Sequence, residues 1–167
     1  MAKNVSFSKF GAELRRSAIA FETEIKEIVE YNLGEMELES IRLSPGGGDL
    51  IKTQYGTETQ QDIARGRNWV PISQAIGYKL TKNGFSGYLY VEKSAGEVAI
   101  WVEMGTGQDA ASYLSSVPPE WRELAAKYIR NKRGTIVHQP YILPTFMKHK
   151  EIFVKELREA IKTFGKK

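Results

Sequence analysis

Two histidines, His138 and His149, are the first residues of this 167-residue chain to weigh as catalysts or metal ligands. Neither stands in an HExxH or H-x3-H arrangement, so no histidine-based metal site is expected. His138 precedes Gln139-Pro140, where proline restricts the backbone, and reads as a partly buried hydrogen-bonding histidine. His149, between Lys148 and Lys150, reads as exposed. The chain has no cysteine, which excludes a thiolate nucleophile, a zinc-thiolate site, an iron–sulfur cluster and a disulfide framework. Gly46 to Thr53 (GGGDLIKT) approaches a phosphate-binding loop, yet Ile51 stands where that loop needs a glycine before its lysine. Ser86 lies inside a hairpin pattern rather than in a GxSxG strand-to-helix turn. The pairs Glu22/Glu24 and Glu37/Glu39 are two residues apart and do not face each other on a helix. These residue types predict no enzyme, no metal and no cofactor.

The elements that position such residues follow from length and patterning. A chain of 167 residues fits one domain, able to bury a core without disulfide or metal staples. There is no signal-peptide pattern and no apolar run of membrane-spanning length, which predicts a soluble, intracellular protein without a membrane partner. The net charge of +4 is unevenly spread: residues 1–60 carry 7 basic and 10 acidic groups, 61–110 carry 5 and 5, and 111–167 carry 12 and 5. The basic C-terminal third reads as a solvated helix surface or as a face for nucleic acid or an acidic protein.

The expected fold class is α+β. Phe7, Phe10, Leu14, Ala18, Phe21, Ile25 and Ile28 recur at steps of three and four, which predicts a long amphipathic helix over 8–32, with Gly34 able to end it. Residues 44–70, opening with SPGGGD, read as a long mobile loop. Alternation over 75–82 and 85–91 around Asn83-Gly84 predicts a hairpin closed by a two-residue type I′ turn. A third strand over 97–103 would complete an antiparallel β-meander packed against the N-terminal and C-terminal helices. A short helix over 119–131 ends at Gly134, residues 135–143 are extended, and a last helix spans 144–164, opened by Pro144. Its stripe is Phe146, Phe153, Leu157, Ile161 and Phe164.

Two segments together carry a resemblance. One runs Ala99-Ile100-Trp101-Val102-Glu103-Met104-Gly105-Thr106-Gly107, and the other His138-Gln139-Pro140-Tyr141-Ile142-Leu143-Pro144-Thr145-Phe146. They resemble the YA-x-x-VE-aromatic-GT and QPF-[LI]-x-PA motifs of the neck or tail-completion family of tailed bacteriophages, also described as a tail-component family. Met104, Tyr141 and Thr145 depart mildly from those motifs. The family's Pro-x-Thr-Gly-x-Leu motif is absent or degraded to residues 44–50, and the segment 108–137 is longer than the usual connection. On physical grounds Trp101, Glu103, Gly105, Thr106, Gln139, Pro140, Tyr141 and Pro144 look like scaffold residues. Glu103 could pair with a base or a backbone donor, Gly105 permits a sharp turn, and Thr106 can bond a backbone amide.

The resemblance implies a structural virion protein of the head–tail connector, assembled in the bacterial cytoplasm. Such proteins form homo-oligomeric, typically hexameric, rings between head-connector or stopper proteins and the tail terminator or tail tube, with double-stranded DNA passing through the lumen. The irregular segments 44–70 and 108–137 are then candidate docking elements, with Gly46, Gly47, Gly48, Tyr55, Tyr113 and Trp121 as contacts. The alternative is a non-specific DNA-binding accessory protein using a basic face of Arg130, Lys132, Arg133, Lys148 and Lys150.

Overall fold

The structure is a computed structural model that describes residues 7–46, 48–65, 69–129 and 135–165. It is α+β and mostly helical, with a long N-terminal helix, a C-terminal helix and two small antiparallel sheets. Among the described residues no helix is long and apolar enough to cross a membrane.

Helix α1 (Phe7–Leu43) has 37 residues and runs well past Asn32, where the sequence pattern predicts its end. Gly34 does not stop it, because the periodic burial continues through Val29, Leu33 and Ser40. The helix ends where Ser44 caps it, its N–H donating to Ser40 O at 2.9 Å and its Oγ to Ile41 O at 2.9 Å. Pro45 follows and cannot continue the ladder. A Cβ on Gly34 would meet no atom within 4 Å. Glycine inside a helix costs about 0.5–1 kcal/mol relative to alanine. Gly34→Ala should therefore raise stability by about that amount, read as a shift of about 1–4 °C in thermal midpoint; an unchanged or lowered midpoint would contradict the helix assignment.

The expected loop 44–70 is instead largely ordered structure. Strands β1 (Leu50–Thr53) and β2 (Gly56–Thr59) form a hairpin, followed by helix α2 (Gln60–Ala64). Polar composition hides this element, since Ile51 alone supplies its fully buried apolar side chain. The other fully buried residue is Gln60, whose side-chain amide bonds Pro45 O at 3.0 Å and also Gly46 O, while its carbonyl accepts from Ile72 N at 3.1 Å. One buried amide thus ties three backbone segments together.

After helix α3 (Ile72–Ala75), strands β3 (Ile76–Leu80) and β4 (Gly87–Val91) pair antiparallel, with Tyr78 opposite Leu89. The hairpin is present, but its turn is not type I′. That turn needs positive φ at both central residues, and here Gly84 has φ +73° while Asn83 does not have a positive φ. Gly84 N donates instead to Thr81 O at 2.9 Å, and Asn83 Oδ1 accepts from Thr81 Oγ1 at 2.7 Å and from Phe85 N at 3.2 Å. The hairpin lies along α1, with Lys26 Nζ 5.0 Å from the Phe85 ring centre.

The third strand of the expected meander is a helix, α4 (Gly96–Met104). Val98, Ala99, Val102, Glu103 and Met104 are all buried, so this short segment sits inside the core. Periodicity cannot separate helix from strand for so short an apolar run. Helices α5 (Gly107–Leu114) and α6 (Pro119–Ile129) follow, the latter within the predicted 119–131. Gly134 and the end of that predicted helix lie outside the described residues. Residues 135–137 lie beside β1, with Val137 N bonded to Lys52 O at 2.9 Å and Gln54 N to Thr135 O at 2.7 Å. Helix α7 (Ile142–Phe164) then starts two residues before Pro144.

Helices α1 and α7 run antiparallel. Phe21 stacks on Phe164 at 4.4 Å, Asn32 Nδ2 donates to Glu156 Oε2 at 2.6 Å, and Glu39 meets Lys148 and His149. Between this helix pair and the hairpins the core gathers Ile51, Ile72, Ile76, Val98, Ala99, Val102, Ile136 and Tyr141.

Candidate functional site

The two segments singled out in the sequence meet face to face. A helix begins with four backbone N–H groups that have no partner within it. At the start of α7 these belong to Tyr141, Ile142, Leu143 and the residue at position 144. Position 144 is proline, which has no N–H. The other three all donate to one carboxylate: Tyr141 N and Ile142 N to Glu103 Oε2 at 2.7 and 2.9 Å, and Leu143 N to Glu103 Oε1 at 2.8 Å. Glu103 is 4% exposed. The carboxylate also faces the positive end of the α7 dipole. Burial raises its pKa above the ordinary value, and the three N–H donors pull in the opposite direction.

The rest of the clasp extends from the end of α4 into α5. Gly105 takes φ +71° and ψ −175°, a region that only glycine occupies readily. Thr106 exchanges two bonds with Ile136, its N–H donating to Ile136 O and its Oγ1 accepting from Ile136 N, both at 2.9 Å. Asp109 Oδ2 accepts from His138 N at 2.6 Å and lies 2.8 Å from His138 Nδ1. Tyr113 stacks on the His138 ring at 4.4 Å, and burial together with the Glu103 charge pushes its hydroxyl up to about 12. Gln139 N donates to Val102 O at 2.7 Å. Tyr141 is fully buried and its hydroxyl donates to Ala99 O at 3.1 Å; burial, then the Glu103 charge, raises its pKa. Trp101 packs against the edge of the core. Residues 99–113 thus grip residues 136–143 chiefly through backbone groups. The Asp109–His138 contact, absent from the sequence reading, spans 29 residues and becomes visible only once α5 is placed against the downstream segment.

The other candidates divide. Tyr55 sits in the β1–β2 turn and is 82% exposed. Trp121 packs at 6.2 Å against Phe146, so it and Tyr113 are engaged within the chain. Gly46 N donates to Asp49 Oδ2 at 2.9 Å, and Gly48 has φ +117°. Gly47, Arg130, Lys132 and Arg133 lie outside the described residues. Lys150 is exposed.

Lys148 is paired within the chain while its side chain stays more than half exposed. Its Nζ lies 2.8 Å from both oxygens of Glu39. His149, expected to be exposed, is 6% exposed because it faces α1, where its Nε2 lies 2.7 Å from Glu39 Oε2. Hydrogen bonds from Lys148 first and His149 second hold the Glu39 carboxyl below its ordinary 4.5. A carboxyl depressed by folding stabilises the fold above its unfolded value, and this contribution is lost as the pH falls through the lower folded value. Glu39→Gln should therefore lower the thermal midpoint at about pH 7 and flatten its fall between about pH 5 and pH 3. Parallel midpoint curves for the two proteins over that interval would refute this.

Among the described residues no group of three His, Asp or Glu side chains could hold a metal. The polar groups of the clasp satisfy one another and fix the start of α7 against α4. No protein-family model, curated protein or solved structure matches the chain.

Proposed function

We propose that the chain is a structural subunit of the head–tail joint of a tailed bacteriophage, a neck or tail-completion protein. It assembles with copies of itself, as a ring, and with adjoining head-connector and tail-terminator or tail-tube proteins, around a lumen that passes double-stranded DNA. Its role is mechanical and it needs no cofactor. Its place is the virion, reached after assembly in the bacterial cytoplasm.

One observation carries the reading. The segments that bear the family resemblance, 99–107 and 138–146, form the two sides of a single buried clasp centred on Glu103. In this reading the clasp is the rigid joint through which the subunit bears load between its neighbours. Segments 44–70 and 108–137 serve as docking elements in this proposal. Tyr55, on its exposed turn, offers aromatic contact area to a neighbour, whereas Tyr113 and Trp121 hold the second segment in shape.

The reading is tested by deleting the gene from the phage or prophage that carries it and imaging the lysate by negative stain. Filled heads lying apart from complete tails are the expected result. Intact virions would overturn it.

A further inference from the structure

Helices α1 and α7 present two outward grooves of opposite charge. Along α7, Lys150, Lys155, Arg158 and Lys162 surround Met147 and Val154 and outnumber the two acids on that rim, Glu151 and Glu159. Between α1 and α7, Glu24, Glu27, Glu156 and Glu159 surround Ile28 and Tyr31, with no basic residue in the lining. Tyr31 is 61% exposed, Met147 44% and Val154 36%. Each groove therefore has an apolar centre and a charged rim, the anatomy of a protein interface.

We infer that the two grooves are the two halves of one self-interface, in which the basic α7 groove of one copy receives the acidic α1–α7 groove of the next. The occupant is a second copy because the complementary charges occur on the same chain. A nucleic acid would meet Glu151 and Glu159 in the basic groove and leave the acidic groove with Tyr31 uncovered. The joined faces are unlike. The basic groove is lined by α7 alone, the acidic one by α1 and α7 together, and the two adjoin at Glu159, which lines both. A contact that pairs one groove per copy leaves a groove of each sign open at the ends and propagates into a closed ring or a filament, whereas one that pairs both grooves reciprocally closes as a two-fold dimer; the sedimentation coefficient at high concentration separates the two. The inference names the surface through which the assembly proposed above forms, and to that extent rests on that proposal.

The test is sedimentation velocity of the full chain over a range of concentrations at about 50 mM and about 500 mM salt, where charge interactions are respectively long-ranged and screened. Wild type is expected to associate with rising concentration, less so at high salt. The double variants Glu24→Lys/Glu27→Lys and Lys155→Glu/Arg158→Glu replace exposed residues. Each alone should weaken association about tenfold or more, since it sets like charges against each other. Their equimolar mixture should associate again, because each keeps the groove that the other has lost; two misfolded variants could not do this. A monomeric wild type under all conditions, variants that associate like wild type, or a mixture that stays monomeric would each overturn the inference. So would duplex DNA binding abolished by Lys155→Glu/Arg158→Glu in a chain that does not self-associate. If wild type associates but the variants match it, the surface is wrong and the assembly proposal stands. If the mixture associates but phage lacking the gene form intact virions, the interface stands without the head–tail role.

Discussion

Glu103→Ala should destabilise the protein by about 3–5 kcal/mol, because it strands three backbone donors at once, two of them buried and one half-buried. Tyr141 N, Ile142 N and Leu143 N all rely on this carboxylate, and Tyr141 and Leu143 are buried in the folded chain. Total stabilities are about 5–15 kcal/mol, so the variant would retain little margin; urea unfolding read by circular dichroism measures the loss. A loss below about 1 kcal/mol would mean that the start of α7 is held by packing alone. The sign of the pH dependence is distinctive. A carboxyl whose pKa is raised on folding keeps its proton longer in the folded chain, so its stabilisation is complete below the unfolded value of 4.5 and is lost as the pH rises through the folded value. Glu103→Gln should remove that slope while retaining some acceptor capacity, and should cost less than Glu103→Ala.

Gly105→Ala should also carry a large cost, about 2–5 kcal/mol, from two causes that can be separated. The first is the backbone, since φ +71° with ψ −175° is strained for any residue with a Cβ. The second is contact, since the new Cβ would overlap Asp109 Oδ2 and lie 3.1 Å from His138 N. Relief of the overlap would swing Asp109 away from the two His138 nitrogens it now holds. Asp109→Ala in the Gly105→Ala background should therefore cost clearly less than Asp109→Ala in the wild type. Strict additivity of the two substitutions would rule out the Asp109 overlap and leave backbone strain with the tight His138 N contact as the cause.

The long helices are legible in the sequence because each keeps one apolar stripe, of which the middle turns are covered while Leu14, Ala18 and Ile161 at the outer turns are exposed. Phe21, Ile25 and Ile28 of α1 and Phe146, Phe153 and Leu157 of α7 keep the 3.6-residue period, and all six are at least partly covered. Helix α4 is not legible. Val98, Ile100 and Val102 alternate as they would in a strand, and only the burial of Ala99 and Met104 as well shows a segment surrounded by core. The hairpin of β1 and β2 is hidden for the opposite reason, being polar except at Ile51 and Leu50 and fixed by Gln60 from outside the hairpin. In the clasp, Glu103, Gly105, Thr106 and Tyr141 stand out as a pattern, yet their partners are mostly main-chain atoms. Backbone donors and acceptors are the same at nearly every position, so residue identity does not reveal which ones meet.

At 37 residues, helix α1 is about 55 Å long at about 1.5 Å per residue, whereas α7 with 23 residues reaches only about 35 Å. The Phe21–Phe164 stack marks where the shorter helix stops, and the residues of α1 on the far side of that stack, Ala12 through Ala20, are all exposed. A stretch of that length alone is too short to hold a helix in water. Its amide hydrogens should therefore exchange with solvent deuterium in a gradient, fastest near Lys9 and slowing toward Val29, with unzipping of single turns rather than global unfolding setting the rate. The anchored part acts as a template from which the outer turns repeatedly re-form, so the subunit carries a rod whose stiffness is graded along its length.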